Sequence, residues 1–318
     1  MLVEKIKELE EYKIGLVLAG GGAKGAYEAG VFKALGELGL VDQIKVVSGT
    51  SVGAVNALLL SMDNGEIIDN SWMNLSYSRF IHSQEKSRSI NIQSLIEKIK
   101  HRHFDNNLLE QLKLNDIGLF SQGGVRNFIE EYVDAGIIKN SNRTIYACAY
   151  NIEEELPEYF KLSDYSEDEI INIVLASCAI PFMFKPININ GKRYADGGIN
   201  SPEYSKSNVD NVPIYPLINH DCDFIIVVHL SYKHMIDKTL FGDHNIIELY
   251  PSTPLELISG TGSLRINSNT LKDHIDLGYR DAMVLLSPIV INILRKKDFS
   301  GYIKRIEEEN GILIQSKM

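Results

Sequence analysis

The sequence predicts an α/β fold in which a central, mostly parallel β-sheet carries helices on both faces. Near the start of the chain, two short apolar runs each end at a glycine-containing turn, and each turn is followed by a stretch with helical spacing. This alternation of strand and helix is typical of a parallel sheet whose crossover helices cover it. A chain of 318 residues, 44% of them hydrophobic, is long and apolar enough to bury a large core.

Two strand–helix units open the chain. The apolar run Ile14–Ala19 is typical of a buried strand, and the apolar residues of Gly25–Leu38 recur with helical spacing. Ile44–Val47 is a second short β run, and Val52–Met62 has the composition of a buried helix. We expect a helical insertion over about residues 63–142, because helical spacing dominates there. Its helical stretches are Gln93–His103, Leu108–Leu112 and Gly124–Ala135.

The chain returns to strand patterns after the insertion. Thr144–Tyr150 and Glu158–Leu162 predict a hairpin. Ser166–Cys178 predicts a helix, and its first residues form a Ser-x-x-Glu capping box. A second hairpin is expected over Phe184–Ala195, where an Asn-Gly pair supplies a strong two-residue turn signal.

The remainder of the chain predicts two further strands and a C-terminal helical extension. Phe224–Leu230 is a buried-strand run, and Ile246–Pro251 is the candidate for the last strand. The extension is expected over about residues 270–318, with helices at Asp273–Leu286, Ile289–Lys297 and Gly301–Glu309. Since neither a repeat nor a linker interrupts the pattern, we expect one domain over residues 1–318, with its core in about residues 12–230.

Composition and charge narrow the function classes. The net charge of −10 makes nucleic acid an unsuitable partner. Three cysteines without a paired spacing argue against a disulfide framework or a zinc module and fit a reducing compartment. The start of the chain is charged rather than signal-like, and the longest apolar stretches are interrupted by Ser and Pro. A cytoplasmic protein is therefore expected, with leaderless export and the oligomeric state left open.

A Gly-x-Ser-x-Gly motif lies between the second strand run and the helix after it. Its members Gly49, Ser51 and Gly53 have the spacing of a nucleophile elbow, in which a tight turn holds a strained serine with its hydroxyl exposed. Side chains two residues before and after the serine would collide, which explains both glycines. The helix that follows directs its N-terminus at the site, where amides favour developing negative charge. We favour a nucleophile over a purely structural turn.

A Gly-x-Gly-x-x-Gly motif follows the first strand run, from Gly20 through Gly22 to Gly25. One interpretation is a dinucleotide-binding loop, which requires an acidic residue at the end of the second strand. Here that strand runs into the serine turn, and Asp42 precedes the strand instead. The favoured interpretation is an oxyanion hole built from the loop amides. A packing turn remains the third alternative.

A serine nucleophile requires a base, and two candidates stand out. Among the eight histidines, His229 at the end of an apolar strand is the best placed, although a core or edge histidine is the favoured interpretation. Asp196 closes the second predicted hairpin and is followed by Gly197 and Gly198, which leave room beside it. An Asp-Gly turn on its own is a weak signal.

Together these motifs resemble the patatin-like phospholipase family. The resemblance is carried by GGGAKG, then GTSVG, then ASCAIPFMFKP leading to DGG, and it is weaker in Asn211–Ile214 and Leu277–Ala282. It implies a three-layer α/β fold, a dyad of Ser51 as nucleophile and Asp196 as base, and a family basic residue at Lys24. It also implies oxyanion donors in the glycine loop, namely Gly20, Gly21 and Gly22. Neither a metal nor a cofactor takes part in the implied reaction.

The chain departs from the family pattern after the Asp-Gly-Gly turn. Many bacterial members have an Asn-x-Pro element within a few residues, whereas here Ile199–Val209 intervenes before Asn211. Asn200 offers a nearer match, but the later one is preferred because an apolar strand follows it. The inserted segment is expected to rim the site and to affect substrate choice more than chemistry.

The expected function is that of a lipid acyl hydrolase of the phospholipase A, lysophospholipase or carboxylesterase type. A catalytically silent lipid-binding relative is the alternative, and a dinucleotide-dependent oxidoreductase is less favoured. The amphipathic stretch Ile92–His103 has a basic side that could dock transiently on a membrane surface. A surface helix with its apolar stripe in the core is the favoured interpretation of that stretch.

Overall fold

The structure is a computed structural model of the chain. It describes residues 9, 11–75, 122–181, 183–198, 211–232, 236–255 and 268–295. The stretches predicted as helices at residues 93–103, 108–112 and 301–309 lie outside the described residues, as does the inserted segment at residues 199–209.

An eight-stranded mixed sheet is the centre of the fold. Its strands are β1 Ile14–Leu18, β2 Ile44–Thr50, β3 Thr144–Asn151, β4 Leu156–Lys161, β5 Ile187–Ile189, β6 Lys192–Asp196, β7 Phe224–Val228 and β8 Ile246–Leu249. Five parallel strands lie side by side in the order β3-β2-β1-β7-β8, and the antiparallel strands β4, β5 and β6 extend the sheet at β3. Every residue of β1 and β7 is buried, as expected for central strands covered on both faces.

Helices cover the sheet on both faces, which confirms the predicted fold class. Helix α1 is buried on nearly all sides because the long helix α7 packs across it. At this crossing Gly30 faces the Ile275 carbonyl and Gly278 faces the Tyr27 carbonyl so closely that neither position has room for a Cβ. The helices are α1 Ala26–Glu37, α2 Val52–Leu60, α3 Gly65–Met73, α4 Gly123–Tyr132, α5 Ala135–Lys139, α6 Glu167–Ser177 and α7 Ser268–Leu294.

The predicted strands and hairpins agree with the structure. The first hairpin is β3–β4 and the second is β5–β6. The second hairpin turns at Asn190 and Gly191, which both have positive φ angles of 51° and 84°. The capping box of α6 is present at Ser166 and Glu169. Strand β2 continues to Thr50, beyond its predicted end at Val47, and so delivers Ser51 at its tip.

The C-terminal region differs from the prediction. Two helices separated near Pro288 were expected, but α7 is one helix of 27 residues with Pro288 inside it. A proline removes the hydrogen bond to the carbonyl four residues earlier, which here belongs to Val284. Since Val284 is 77% exposed, that carbonyl lies on the face of the helix that meets solvent, and the proline is tolerated.

Helix α7 is also long and apolar enough to cross a membrane by length and composition. Within its most apolar 18-residue window, 39% of the residues are buried inside the protein. The core helix of a soluble protein passes the same test, so this single helix is weak evidence for a span.

The described part of the predicted insertion is helical. It contains α3, α4 and α5, and Asn64 caps α3 by accepting a hydrogen bond from the Glu66 amide at 3.0 Å. The division of the chain into a core, an insertion and a C-terminal extension stays a prediction.

Candidate active site

Ser51 occupies a strained turn between β2 and α2. Its backbone angles, φ 56° and ψ −124°, belong to a region that non-glycine residues rarely adopt. A Cβ at Gly49 would collide with the Gly53 carbonyl group, and a Cβ at Gly53 would collide with the Leu18 carbonyl oxygen. The turn therefore closes only with glycine on both sides of the serine. Helix α2 begins at the next residue and points its N-terminal amides at the site.

The sheet register brings the ends of β2 and β6 together. Strand β4 pairs along one edge of β3, so β2 and β6 share the other edge. They approach from opposite directions, and Thr50 pairs with Cys148 while Asp196 pairs with the next residue, Ala149. Ser51 and Asp196 therefore lie at the two strand ends that meet on this edge of β3.

The end of α6 and the turn after it join these two ends. The Ser51 amide donates to Ser177 Oγ at 2.8 Å, and the Ser177 hydroxyl donates in turn to the Cys148 carbonyl at 2.6 Å. Two residues further on, the Ala179 carbonyl accepts a hydrogen bond from the Asp196 amide at 2.9 Å. The last residue of α6 and the turn after it thus hold the backbone of both predicted dyad members.

Cys178 lies inside that turn and interacts with the side chains of both Ser51 and Asp196. Burial raises the pKa of its thiol well above the ordinary value, the negative charge of Asp196 adds to the rise, and a hydrogen bond with Ser51 opposes it. A thiol in this setting stays protonated and is a poor nucleophile. It fills space between the serine and the carboxylate without competing for their chemistry.

The Asp196-Gly197-Gly198 turn fixes the carboxylate. The Gly198 amide donates to Asp196 Oδ1 at 2.8 Å, and the Asp196 side chain is almost fully buried. A Cβ at Gly197 would lie 2.5 Å from the Cys148 carbonyl oxygen, so only glycine allows the turn to lie this close to β3.

The glycine loop lies beside the serine turn, and one of its amides is already engaged. The Gly20 amide donates to the Asn211 carbonyl at 3.0 Å, and Asn211 Nδ2 donates back to the Gly20 carbonyl at 3.1 Å. Gly22 has a φ angle of 61°, in the left-handed region that favours glycine. Because this contact occupies the Gly20 amide, the amides of Gly21 and Gly22 remain as the candidate oxyanion donors.

Lys24 and Gly25 complete the loop at its junction with α1. Lys24 is buried and lies near His274. Burial lowers the pKa of that imidazole, and the charge of Lys24 contributes to the lowering. A Cβ at Gly25 would collide with Val52, the first residue of α2, so this glycine lets the loop lie against the serine turn.

A buried polar cluster lies beneath the loop. Glu28 is fully buried in the first turn of α1, and its Oε2 accepts a hydrogen bond from Asn56 Nδ2 at 2.7 Å. Trp72 Nε1 donates to Asn56 Oδ1 at 2.9 Å. Burial raises the pKa of Glu28 well above its ordinary value, although hydrogen bonds from Asn56 and the Ala19 backbone oppose the rise. Sequence inspection did not single out this carboxyl group.

His229 belongs to a different cluster. Its ring is 1% exposed, its Nε2 lies 3.0 Å from Glu248 Oε2, and it stacks on Tyr250 with ring centroids 4.6 Å apart. Lys238 Nζ lies 3.5 Å from the other oxygen of Glu248. The geometry is that of a core histidine paired with a carboxylate, which was the favoured sequence interpretation.

Within the described residues, no group of three or more His, Cys, Asp or Glu side chains is arranged to hold a metal ion. The cysteines Cys148, Cys178 and Cys222 are free thiols. The site as described consists of a hydroxyl, a carboxylate and backbone amides.

The structure identifies one positioning residue that the sequence analysis missed. Ser177 lies within the third block of the family resemblance, but there it drew no attention as an individual residue. The local signal is its place as the last residue of a capped helix, directly before the turn that leads to the second hairpin. Its contacts with Ser51 and Cys148 join elements far apart in the chain, which no local pattern reveals.

A strained serine, a buried carboxylate and a glycine loop meet at one end of a mostly parallel sheet, so the chain is an α/β protein with a serine at a strand-to-helix turn. The model of the family described as patatin-like phospholipase matches residues 16–218, which include all of these features. The chain belongs to this family.

Two fungal relatives match most of this chain, but the matched region is only a small part of each relative. Triacylglycerol lipase 4 of Saccharomyces cerevisiae is 28% identical over 210 residues, which are 63% of this chain and 22% of the lipase. Lysophospholipase NTE1 of Kluyveromyces lactis is 24% identical over 237 residues, 74% of this chain and 14% of that protein. The chain thus spans less than a quarter of the length of either relative.

Two solved structures are similar more distantly. VipD from Legionella pneumophila gives a TM-score of 0.48 at 16% identity, over 87% of this chain and 67% of its own. Human GIVD cytosolic phospholipase A2, solved in complex with methyl gamma-linolenyl fluorophosphonate, gives 0.47 at 12% identity, over 93% and 61%. The family assignment rests on the family model and not on these two similarities.

Proposed function

We propose that the chain is a lipid acyl hydrolase, with Ser51 as the nucleophile, Asp196 as the base, and the Gly21 and Gly22 amides as oxyanion donors. One observation carries the proposal: β2 and β6 meet end to end on one edge of β3, and each delivers a dyad member at the meeting point. The strain at Ser51 supports it, because such strain persists where the surrounding structure holds it for a function.

In the first half of the reaction, Ser51 Oγ attacks the carbonyl carbon of an ester and its proton passes to the Asp196 carboxylate. The electron pair of the C=O bond moves onto the oxygen, and the loop amides stabilise the resulting oxyanion. The tetrahedral intermediate then collapses, the alcohol leaves with the proton from Asp196, and an acyl-serine ester remains.

In the second half, water attacks the acyl-serine ester and gives its proton to Asp196. The same amides hold the second oxyanion, and collapse releases the fatty acid and returns the proton to Ser51 Oγ. A carboxylate is a weak base toward a serine hydroxyl. The buried site and the fixed amides must therefore supply most of the stabilisation of the transition state.

The family and the names of the relatives support a lipid ester as the substrate class. The two fungal relatives are named as a triacylglycerol lipase and a lysophospholipase, so these names do not agree on one head group. A screen of purified protein against lysophospholipids, diacyl phospholipids and triacylglycerols would identify the preferred class. A transient contact with a membrane surface during turnover is part of the proposal.

The test combines covalent labelling with a matched serine control. We expect a fluorophosphonate probe to label the wild-type chain and the Ser61→Ala variant, and not Ser51→Ala. Ser61 is a suitable control because it is also buried but donates its hydroxyl to the Ala57 carbonyl of its own helix. Ester hydrolysis should follow the labelling. Substantial hydrolysis by folded Ser51→Ala, or NADH binding without any hydrolysis, would refute the proposal.

A further inference from the structure

Asn211 lies between the glycine loop at Gly20 and the Asp196-Gly197-Gly198 turn. It follows the segment inserted after Gly198, and its side chain is buried. The stretch that it begins is held to the sheet, because the Ser48 hydroxyl of β2 donates to the Pro213 carbonyl. Asn211 is thus fixed above the ends of the central strands.

The side chain and backbone of Asn211 hold Gly20 from both sides. The Gly20 amide donates to the Asn211 carbonyl at 3.0 Å, and Asn211 Nδ2 donates to the Gly20 carbonyl at 3.1 Å. In a planar trans peptide, the carbonyl of one residue and the amide of the next point in opposite directions. Fixing the Gly20 carbonyl therefore fixes the direction of the Gly21 amide, which is a proposed oxyanion donor.

The other end of the Asn211 side chain faces the base. Asn211 Oδ1 is buried and has no hydrogen-bond partner among the described residues. The position that a Cβ of Gly198 would occupy lies 2.6 Å from this oxygen and 3.0 Å from Asp196 Oδ1. A buried acceptor without a donor costs about 1–3 kcal/mol. Its retention here, next to a carboxylate that must take up a proton, calls for an explanation beyond packing.

We infer that Asn211 is a positioning residue that couples the oxyanion loop to the base. Its amide nitrogen aims the Gly21 amide, and its carbonyl oxygen places an acceptor near the Asp196 carboxylate, which takes up a proton in each half of the reaction. This role rests on the proposed function, since it has meaning only if Ser51 and Asp196 cleave esters. It also explains why Gly20 and Gly198 are both glycine, because a Cβ at either position would reach Asn211 Oδ1.

The test compares Asn211→Ala and Asn211→Asp with wild type and with Asn245→Ala. Asn245 provides a matched control, because its Nδ2 also donates to a backbone carbonyl, that of Asp223, but at the opposite end of β7. Active sites are counted by fluorophosphonate labelling taken to completion, and kcat and KM for a p-nitrophenyl ester are expressed per labelled site. A residue that only supports folding would lower the number of labelled sites without lowering kcat per site.

We expect Asn211→Ala to lower kcat per site about 10²–10³-fold, the size of one lost oxyanion donor, with KM changed less than about threefold. Asn211→Asp keeps the shape, loses the Nδ2 donor and adds a carboxylate facing Asp196. Its kcat should fall at least as far, and the acidic limb of its pH–rate profile should move to higher pH. Asn245→Ala should behave as wild type.

Three results would overturn the inference. A kcat per site for Asn211→Ala within about threefold of wild type would show that Asn211 does not position the loop. If Asn211→Ala does not fold, the isosteric Asn211→Asp decides the same question. An unmoved acidic limb in Asn211→Asp would show that the side chain does not face the base. A wild-type chain that neither labels nor hydrolyses the ester would refute the proposed function itself, and the inference with it.

Discussion

Two polar clusters lie near the carboxyl ends of the parallel strands, and they differ in what their carboxylates contact. In both clusters the backbone is anchored: the amides of Ser51 and Asp196 are bonded to the end of α6 and the turn after it, and the His229 amide donates to the Leu249 carbonyl. The Asp196 carboxylate accepts from a backbone amide, that of Gly198, whereas the side chains of His229 and Glu248 pair with each other. A histidine next to a carboxylate looks more like catalytic machinery than a serine without a histidine. The comparison separates a carboxylate held by a backbone amide from one held by neighbouring side chains, and the proposed function assigns the chemistry to the first.

The physical reason for this assignment lies in the side-chain network of the second cluster. Glu248 already accepts from His229 and from the Ile236 amide, and Lys238 lies beside its other oxygen. Moving a proton or a substrate into such a network would break existing interactions. Ser51 instead has a strained backbone, and its side chain interacts with the Cys178 thiol, which also experiences the charge of Asp196.

The largest difference between the two clusters should appear when kcat is compared between the Asp196→Asn and His229→Ala variants. The amide keeps the shape of the base but cannot take the proton, so kcat should fall by about 10²–10⁴-fold or more. His229→Ala should keep most of kcat per labelled site, measured at a temperature where the variant is folded. Asp223→Asn is a matched control, since its carboxylate accepts from the Lys13 amide at the other end of the sheet.

The pH–rate profile sharpens the same comparison. With a carboxylate as the base, activity should rise on one acidic limb, without a histidine-like step near pH 6.5. If folded His229→Ala were as inactive as Asp196→Asn, the site would be a conventional triad and the proposed dyad would be wrong.

The second effect is expected where the glycine loop meets the residue after His229. A Cβ at Gly21 would lie 2.7 Å from Leu230 Cδ1, and Leu230 is the residue after His229. Leu230 is therefore an obstacle to a side chain at position 21. Gly21→Ala should therefore displace the loop amide and cost about 2.7–4 kcal/mol of transition-state stabilisation.

A double variant tests that explanation. Trimming the obstacle in Gly21→Ala/Leu230→Ala should restore much of the activity per labelled site, although Leu230→Ala alone should lower stability by about 2–5 kcal/mol. Equal rate losses in the single and double variants would mean that Leu230 is not what moves the loop. The measurement is a double-mutant cycle on kcat/KM.

Much of the fold and part of the site could be predicted from local patterns. Apolar runs, turn signals and a capping box indicated the strands, both hairpins and α6, because each of these is specified within a few residues. The continuous α7 could not be predicted, since whether Pro288 breaks a helix depends on which side of the helix faces solvent. The partners of Ser177, Asn211 and Glu28 come from elements far apart in the chain, so their contacts exist only in the folded protein.

The third effect concerns Glu248 and its dependence on pH. Burial alone would raise the pKa of Glu248, but the hydrogen bond and charge of His229, the hydrogen bond of Tyr250 and the charge of Lys238 together outweigh it, so the pKa lies below its ordinary value of 4.5. A lowered pKa in the folded state adds stability above the pKa of the unfolded state, and this stability is lost as the pH falls. Glu248→Gln should therefore unfold more easily at neutral pH, by about 1.5–3 kcal/mol.

Denaturant unfolding at several pH values checks this prediction. The stability difference between wild type and Glu248→Gln should shrink as the pH falls below about 5. A difference that stays constant from neutral to acidic pH would show that the charge of Glu248 does not stabilise the fold.

The smallest effect should come from Glu28, the second buried carboxyl group beside the glycine loop. Its only described side-chain partner is the neutral Asn56, and burial raises its pKa well above 4.5. When the folded pKa is raised, only the unfolded state ionises as the pH climbs past about 4.5, so wild-type stability should fall there. The slope should be about 1.4 kcal/mol per pH unit until the folded pKa is reached. Glu28→Gln removes this ionisation while keeping the side-chain shape, so its stability should vary less than that of wild type as the pH rises above about 4.5. Parallel stability curves for the two proteins would mean that Glu28 is charged in the folded state, and the contrast with Glu248 would then fail.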